Sequence, residues 1–156
     1  KSQRGTWKLD ARFNKPELIE RIKKIAEKKR CIHLYNKDIV SFIKNYIPKY
    51  DDNAFVYFDP PYFRKGHQLY MNFFDYEDHV RIEKLISDMV KCDWVITYDN
   101  EPEIERIYEK HYIRKFELNY CVAKKRKGQE LLIFKNESMI PDAELIRENS
   151  RCINIY

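Results

Sequence analysis

Residues 54–62, AFVYFDPPY, decide how the rest of the chain is interpreted. Five apolar or aromatic residues follow one another without interruption, which is typical of a short strand buried on both faces, as in a parallel sheet. Pro60 and Pro61 end this strand, because proline has no backbone N–H to donate to a sheet. The side chains of Asp59 and Tyr62 are therefore expected at the carboxyl end of a buried strand, where open α/β sheets bind their ligands.

The tetrapeptide Asp59-Pro60-Pro61-Tyr62 suits a planar group that carries an exocyclic amine. The Asp59 carboxylate and the Pro60 carbonyl both accept hydrogen bonds, and the Tyr62 ring offers a flat face on which a flipped-out base can stack. Two acceptors on the amine protons favour a more tetrahedral nitrogen whose lone pair can attack, so they stabilise the transition state more than the ground state. The alternative is a strand followed by a plain Pro-Pro turn, and such turns are common.

The DPPY motif after an apolar strand resembles the catalytic motif of amino-methyltransferases that use S-adenosylmethionine. Aspartate at the first position resembles the N6-adenine DNA class, and the likeness to Dam-type adenine methylases extends over roughly residues 5–136. It rests on four further stretches, which are LDARFNKPELIERI at 9–22, YNKD at 35–38, LYMNFFDYEDH at 69–79 and KGQELLIF at 127–134. The resemblance implies site-specific transfer of a methyl group from S-adenosylmethionine to N6 of adenine in double-stranded DNA.

The same resemblance implies roles for single residues. Residues 59–62 would bind and activate the flipped adenine, and Asp59 would also border the methyl donor. Asp38 would accept a hydrogen bond from the adenine amine of the donor, and the Ile39 backbone N–H would donate to its ring. Asp38 is equally well suited to cap a helix, and the two roles are compatible.

Two basic segments are candidate DNA contacts. The loop 63–74, FRKGHQLYMNFF, interleaves cations with aromatic residues, a pattern that suits phosphates and bases. The segment 123–129, AKKRKGQ, is expected to be the cationic tip of a hairpin, where it either contacts phosphate or keeps an edge turn soluble. The candidate contacts in these two segments are Arg64, Lys65, Tyr70, Lys125, Arg126 and Lys127.

Composition limits the class of protein. The 156 residues are enough for one domain with a core, and 44% hydrophobic with 35% charged residues excludes a disordered chain. The net charge of +5 is compatible with a nucleic-acid partner. No two of the four cysteines form a CxxC pair, so no metal site is expected. No apolar stretch approaches the roughly 18 residues of a membrane helix and no signal peptide is recognisable, so we expect a cytoplasmic protein without a membrane partner.

The expected elements alternate between helices and strands. Helices are predicted at 14–29, 39–46 and 75–91, strands at 31–35, 54–58 and 94–98, then a short helix capped by Asn100, and a hairpin of strands 112–122 and 130–134. This order predicts an α/β fold that resembles the second half of a Rossmann-like S-adenosylmethionine-dependent methyltransferase sheet, ending in an antiparallel hairpin. We divide the chain into a remnant of a target-recognition region at 1–12, a catalytic half at 13–136 and a carboxyl-terminal tail at 137–156, with one weak helix expected at 142–148.

A Gly-rich donor-binding loop is not recognisable, since the only glycines are Gly5, Gly66 and Gly128. The resemblance therefore implies that the amino-terminal donor-binding strands are missing from this sequence or come from a separate chain. Without them, strands 31–35 and 54–58 should expose edges and apolar faces. The alternative function is a non-catalytic remnant that binds DNA or a partner. Methylation of RNA or of a protein amide is a third possibility, which aspartate at position 59 disfavours.

Overall fold

The computed structural model describes residues 13–50, 53–64, 74–120 and 126–141, of which 118–120 and 126–127 are described by their backbone alone. The chain divides into two units, Lys1–Lys37 and Asp38–Tyr156. The remnant expected at 1–12 and the weak helix expected at 142–148 lie outside the described residues.

The first unit contains helix α1, Lys15–Glu27. Asn14 caps it as predicted, because its side-chain oxygen accepts a 3.5 Å hydrogen bond from the Glu17 backbone N–H. A short 3-10 turn, Lys29–Cys31, follows. The predicted strand at 31–35 is wrong, since residues 32–38 have no regular secondary structure and Leu34 is almost fully exposed. An extended segment becomes a strand only when a neighbour pairs with its backbone groups.

The second unit contains a mixed sheet whose strand order is β1-β2-β4-β3. Strand β1 runs parallel to β2, β2 is antiparallel to β4, and β3 and β4 form the predicted antiparallel hairpin. The sheet therefore confirms the α/β class with an antiparallel end. The bounds are Phe55–Phe58 for β1, Asp93–Asp99 for β2, Tyr112–Tyr120 for β3 and Arg126–Phe134 for β4.

The helices of this unit begin close to the predicted positions. They are α2 at Ile39–Asn45, α3 at Tyr76–Met89 and α4 at Pro102–Ile107, with 3-10 turns at Ile47–Lys49 and Glu137–Met139. Asp75 caps α3 in a reciprocal capping box with Asp78. The predicted cap of α4 is wrong: Glu101 holds the capping position, and the Asn100 amide donates to Gln129 Oε1 at 3.0 Å.

The core is built around β2, which is one of the two inner strands. Large apolar side chains from β2, β4, α3 and α4 are buried together, and each such side chain contributes about 1.5–3 kcal/mol through burial. Among the most completely buried are Ile82, Ile86, Trp94, Ile96, Tyr98, Ile104, Leu131 and Ile133. This packing fixes β2 and β4, the strands that support the candidate site.

Strand β1 lies at an edge of the sheet, and the prediction that both of its faces are buried is wrong. Phe58 is buried, but Phe55 is 62% exposed and Tyr57 is 57% exposed. Among the described strands β1 pairs with β2 alone, which leaves its other edge without a described partner strand. Phe55 and Tyr57 alternate onto the same face of β1, and that face is largely exposed. The exposed edge and apolar face expected at 54–58 are both observed.

Candidate active site

Residues 59–62 leave β1 at its carboxyl end, and Asp99 lies at the carboxyl end of the adjacent parallel strand β2. The parallel register brings both ends to one edge of the sheet, as the sequence predicted. Asp59 is exposed, Pro60 is buried, and Pro61 and Tyr62 are half-buried. The Asp59 carboxylate is therefore exposed to solvent, while the residues that follow it are buried or half-buried.

The Asp59 carboxylate is oriented by a short chain of hydroxyl groups. The Thr97 hydroxyl on β2 donates to Asp59 Oδ1 at 3.3 Å, and it lies 2.7 Å from the Tyr57 hydroxyl. A hydroxyl has one proton to donate, so Tyr57 donates to Thr97 when Thr97 donates to Asp59. Neither partner was identified from the sequence. The available signal was the alternation of β1, which places Tyr57 two residues before Asp59 on the same face.

Tyr62 is anchored at the far end of its ring. Its hydroxyl donates a 2.8 Å hydrogen bond to Glu130 Oε1, and Glu130 is only 6% exposed on the inner strand β4. Sequence reasoning missed Glu130 as a site residue. The available signal was a lone acidic side chain at the start of the apolar run 130–134, since buried carboxylates need hydrogen-bond donors.

Asp99 holds the backbone that follows the tetrapeptide. Its carboxylate is 8% exposed and accepts hydrogen bonds from the backbone N–H groups of Phe63, at 2.8 Å, and Arg64, at 3.1 Å. An aspartate at the end of a strand can either line a pocket or stabilise a turn. The structure shows that it fixes the chain immediately after Tyr62, so three successive residues, 62–64, are tied to β2 and β4.

The predicted DNA contacts are only partly described. Arg64 is exposed, and its Nε lies 2.8 Å from Glu101 Oε2. An exposed ion pair of this kind contributes about 0–1 kcal/mol to stability, so it restrains the Arg64 side chain only weakly. Arg126 and Lys127 begin β4, where only the backbone is described. Three predicted contacts lie outside the described residues: Lys65, Tyr70 and Lys125.

The predicted donor contacts lie at the start of α2. The Asp38 side chain caps this helix by accepting from the Ser41 backbone N–H at 3.1 Å, which confirms its capping role. Ile39 is the first helical residue, and its N–H has no partner within the helix because the first turn leaves such groups free. An exposed acceptor and a backbone donor therefore occupy adjacent positions.

His79 is fully buried on α3 and packs against residues on both sides of segment 65–73. Its ring lies 5.3 Å from the Phe63 ring and 5.5 Å from the Phe74 ring, and its Nδ1 is 2.9 Å from the Tyr98 hydroxyl. Desolvation lowers the pKa of His79, against a smaller opposing effect of Asp99, Asp78 and Asp75. Burial also raises the pKa of Tyr98 well above its usual value, so both groups are neutral near pH 7.

Acid is expected to destabilise the fold through His79. Its pKa is lower in the folded than in the unfolded chain, so the unfolded chain binds more protons and stability falls as pH drops below about 6.5. The slope is at most about 1.4 kcal/mol per pH unit. Urea unfolding across this range should show a shallower pH dependence for His79→Phe than for the unmodified chain. The exposed control His33→Gln should keep the original slope, and equal slopes for all three proteins would contradict this prediction.

Within the described parts of the chain, no group of three His, Cys, Asp or Glu side chains is arranged to hold a metal ion. The helices there include none long and apolar enough to span a membrane.

The family model of the D12 class N6 adenine-specific DNA methyltransferases matches residues 4–124. The chain belongs to this family. The match contains residues 59–62 together with Thr97 and Asp99, and it confirms the resemblance to N6-adenine DNA methyltransferases. Glu130 lies beyond the matched range. No curated protein sequence matches the chain significantly.

Membership of the D12 class indicates which reaction the family catalyses. Enzymes of this family use S-adenosylmethionine as methyl donor and adenine in DNA as acceptor. The family also implies a Rossmann-like methyltransferase fold, and the described chain has a mixed four-stranded sheet.

Proposed function

We propose that this chain transfers a methyl group from S-adenosylmethionine to N6 of adenine in DNA, as a partial or split enzyme whose catalytic centre is residues 59–62. The observation that carries the proposal is the exposed Asp59 carboxylate, oriented by Thr97 at the carboxyl end of β1 beside the anchored ring of Tyr62. Family membership supplies the class of donor and acceptor.

Residues 59–62 act on an adenine that has left the helix. Asp59 and the Pro60 carbonyl accept hydrogen bonds from its amine, which localises the nitrogen lone pair and stabilises the positive charge that develops there. The Tyr62 ring stacks on the base, a contact worth about 1–3 kcal/mol. S-adenosylmethionine, when bound, would supply an electrophilic methyl group and leave as S-adenosylhomocysteine once its sulfur–methyl bond is broken. The N6 nitrogen would form the new bond to the methyl carbon, and the proton it then loses would pass to the Asp59 carboxylate and on to solvent.

The start of α2 suits the adenine end of the methyl donor. An adenine edge presents an amine donor beside a ring-nitrogen acceptor, and the Asp38 carboxylate with the Ile39 N–H offers the complementary pair. A carboxylate oxygen that caps a helix can accept further hydrogen bonds, so capping and donor binding are compatible. Asp59, at the carboxyl end of β1, is the third proposed donor-binding residue, after Asp38 and Ile39.

The DNA backbone is proposed to contact the basic residues that follow the tetrapeptide and those near the hairpin tip. Arg64 is exposed beside the site and its ion pair with Glu101 is weak enough to exchange for a phosphate. The remaining proposed contacts are Lys65, Tyr70, Lys125, Arg126 and Lys127. Each phosphate contact should increase the salt dependence of DNA binding.

The partial or split character of the enzyme is supported by the exposed edge of β1. Phe55 and Tyr57 are more than half exposed there, and a strand from another chain would cover this edge. The same observation favours a second candidate function, a non-catalytic module that binds DNA or a partner chain. The two candidates differ in whether methyl transfer accompanies binding.

The deciding experiment is calorimetric titration of S-adenosylmethionine into the chain alone and into the chain mixed with a folded methyltransferase half that carries a Gly-rich donor loop. Transfer of labelled methyl is then measured on DNA with and without adenine, on RNA and on protein. Donor binding only in the mixture, followed by methylation of adenine-containing DNA, supports a split enzyme. Binding and methylation by the chain alone would contradict the split but support the activity. No binding in either case would favour the non-catalytic module.

A further inference from the structure

We propose that Glu130 is a positioning residue for Tyr62, holding the phenol ring in the orientation in which the target base stacks on it. The inference rests on the proposed function, because it assigns Glu130 a role in the same site. Neither the family match, which ends at residue 124, nor the sequence pattern indicates this role.

Glu130 occupies an unfavourable position for a carboxylate, because it is buried and lies opposite a second carboxylate. It lies on inner strand β4, opposite Asp99 on β2 and opposite Phe116 on β3, with 6% of its surface exposed. A second carboxylate directly across the strands is unfavourable, and burial of a charge is unfavourable as well. Donors aimed at the two carboxylates offset these costs. Tyr62 is such a donor for Glu130, at 2.8 Å.

The hydrogen bond fixes a degree of freedom that the backbone leaves open. Pro60 and Pro61 constrain the chain before Tyr62, and Asp99 holds the N–H groups of the two residues after it. Those restraints set the position of the Tyr62 α-carbon but not the direction of its side chain. The phenol oxygen lies on the long axis of the ring, so a bond from the hydroxyl to a buried, strand-mounted carboxylate fixes the direction of that axis. The stacking surface is then organised before the base arrives.

A merely structural Glu130 would behave differently from one that acts through Tyr62. If Glu130 only stabilises the sheet, its replacement affects folding and adds independently to the effect of removing the Tyr62 hydroxyl. If it acts through the ring, the two replacements share one effect and are not additive. The comparison of single and double variants therefore separates the two roles.

The test uses Glu130→Gln, Tyr62→Phe and the double variant in the assembly that methylates DNA in the preceding experiment. Glutamine keeps an acceptor oxygen at nearly the same place, which protects the fold, while phenylalanine keeps the stacking face. Each single variant should lower the single-turnover methylation rate roughly tenfold, and the double variant should be no slower than the slower single variant. The exposed Glu137→Gln, just beyond β4, should leave the rate unchanged.

A spectroscopic readout makes the test independent of activity. In protein labelled with ¹³C at the tyrosine Cζ, the resonance lost in Tyr62→Phe identifies Tyr62, and Glu130→Gln should shift it while Glu137→Gln should not. An unmoved resonance, or rate effects that multiply in the double variant, would overturn the positioning role even if the protein methylates DNA. A shifted resonance in a protein that methylates nothing would instead overturn the proposed function, and with it the stacking role, while leaving the hydrogen-bonded anchor established.

Discussion

Replacing Asp59 by alanine is expected to lower the rate of adenine methylation by about 10²- to 10³-fold, the usual effect of losing one group that stabilises transition-state charge. Asp59 is the charged acceptor in the tetrapeptide, and the Pro60 carbonyl alone cannot replace its charge. The affinity for DNA should change much less, because the carboxylate is proposed to act on the reacting amine and not on the phosphates. Single-turnover methylation and DNA binding, measured on the same preparation, test both statements.

The Asp59→Ala variant should fold normally, because Asp59 is exposed and its hydrogen bond from Thr97 is long at 3.3 Å. A matched control is Asp88→Ala, which removes an exposed aspartate from α3 and should keep full activity. If Asp59→Ala methylated adenine as fast as Asp88→Ala, residues 59–62 would not be the catalytic centre. A loss of cooperative unfolding in Asp59→Ala would show that the rate effect came from the fold, and Asp59→Asn would then be the variant to compare.

The parts of the fold that were predictable from the sequence are those encoded by neighbouring residues. Asn14, Asp38 and Asp75 each cap a helix, and the signal for each is a polar residue followed within three positions by its backbone partner. The cap of α4 was misplaced by one residue: the Asn100 side chain bonds instead to the Gln129 side chain, 29 positions away. Local patterns do not reveal such a partner.

Burial was harder to predict than element type. The apolar runs at 31–35 and 54–58 look alike in sequence, yet the first forms no strand and the second forms an edge strand with Phe55 and Tyr57 exposed. Hydrophobic sequence reports what a segment can bury, whereas burial depends on which neighbours pack against it. The run at 94–98 forms the predicted strand, which is buried and is flanked by β1 and β4.

The supporting side chains of the site were missed for a related reason. The tetrapeptide and its chemistry follow from four adjacent residues, but Thr97 and Glu130 meet it across 38 and 68 positions of sequence. Those contacts depend on the registers that join β1 to β2 and β2 to β4. A shift of one residue in either pairing would turn these side chains to the other face of the sheet. Sequence reasoning thus finds the proposed reacting groups more readily than the side chains that hold them in place.

Replacing Asp99 by asparagine is expected to destabilise the fold and to lower methylation together. The two carboxylate oxygens accept from the backbone N–H groups of Phe63 and Arg64, whereas an amide offers one oxygen and turns its NH2 toward the second donor. Losing one such charge-assisted bond costs about 1.5–3 kcal/mol, and relief of repulsion with Glu130 returns about 0.2–1 kcal/mol. The loss prevails, so the free energy of unfolding should fall by about 2 kcal/mol.

Asp99→Asn should lower the methylation rate by more than the loss of folded protein accounts for. Releasing the backbone at residues 63–64 displaces Tyr62, and a shift of about 1 Å in a positioning group can cost up to about a hundredfold in rate. Asp93→Asn, at the other end of β2, is the matched control, because its described hydrogen bond is a weak 3.5 Å contact from Asn136. The control should change the free energy of unfolding by less than about 0.5 kcal/mol. Equal behaviour of the two variants in urea unfolding and in methylation would mean that Asp99 does not hold the tetrapeptide.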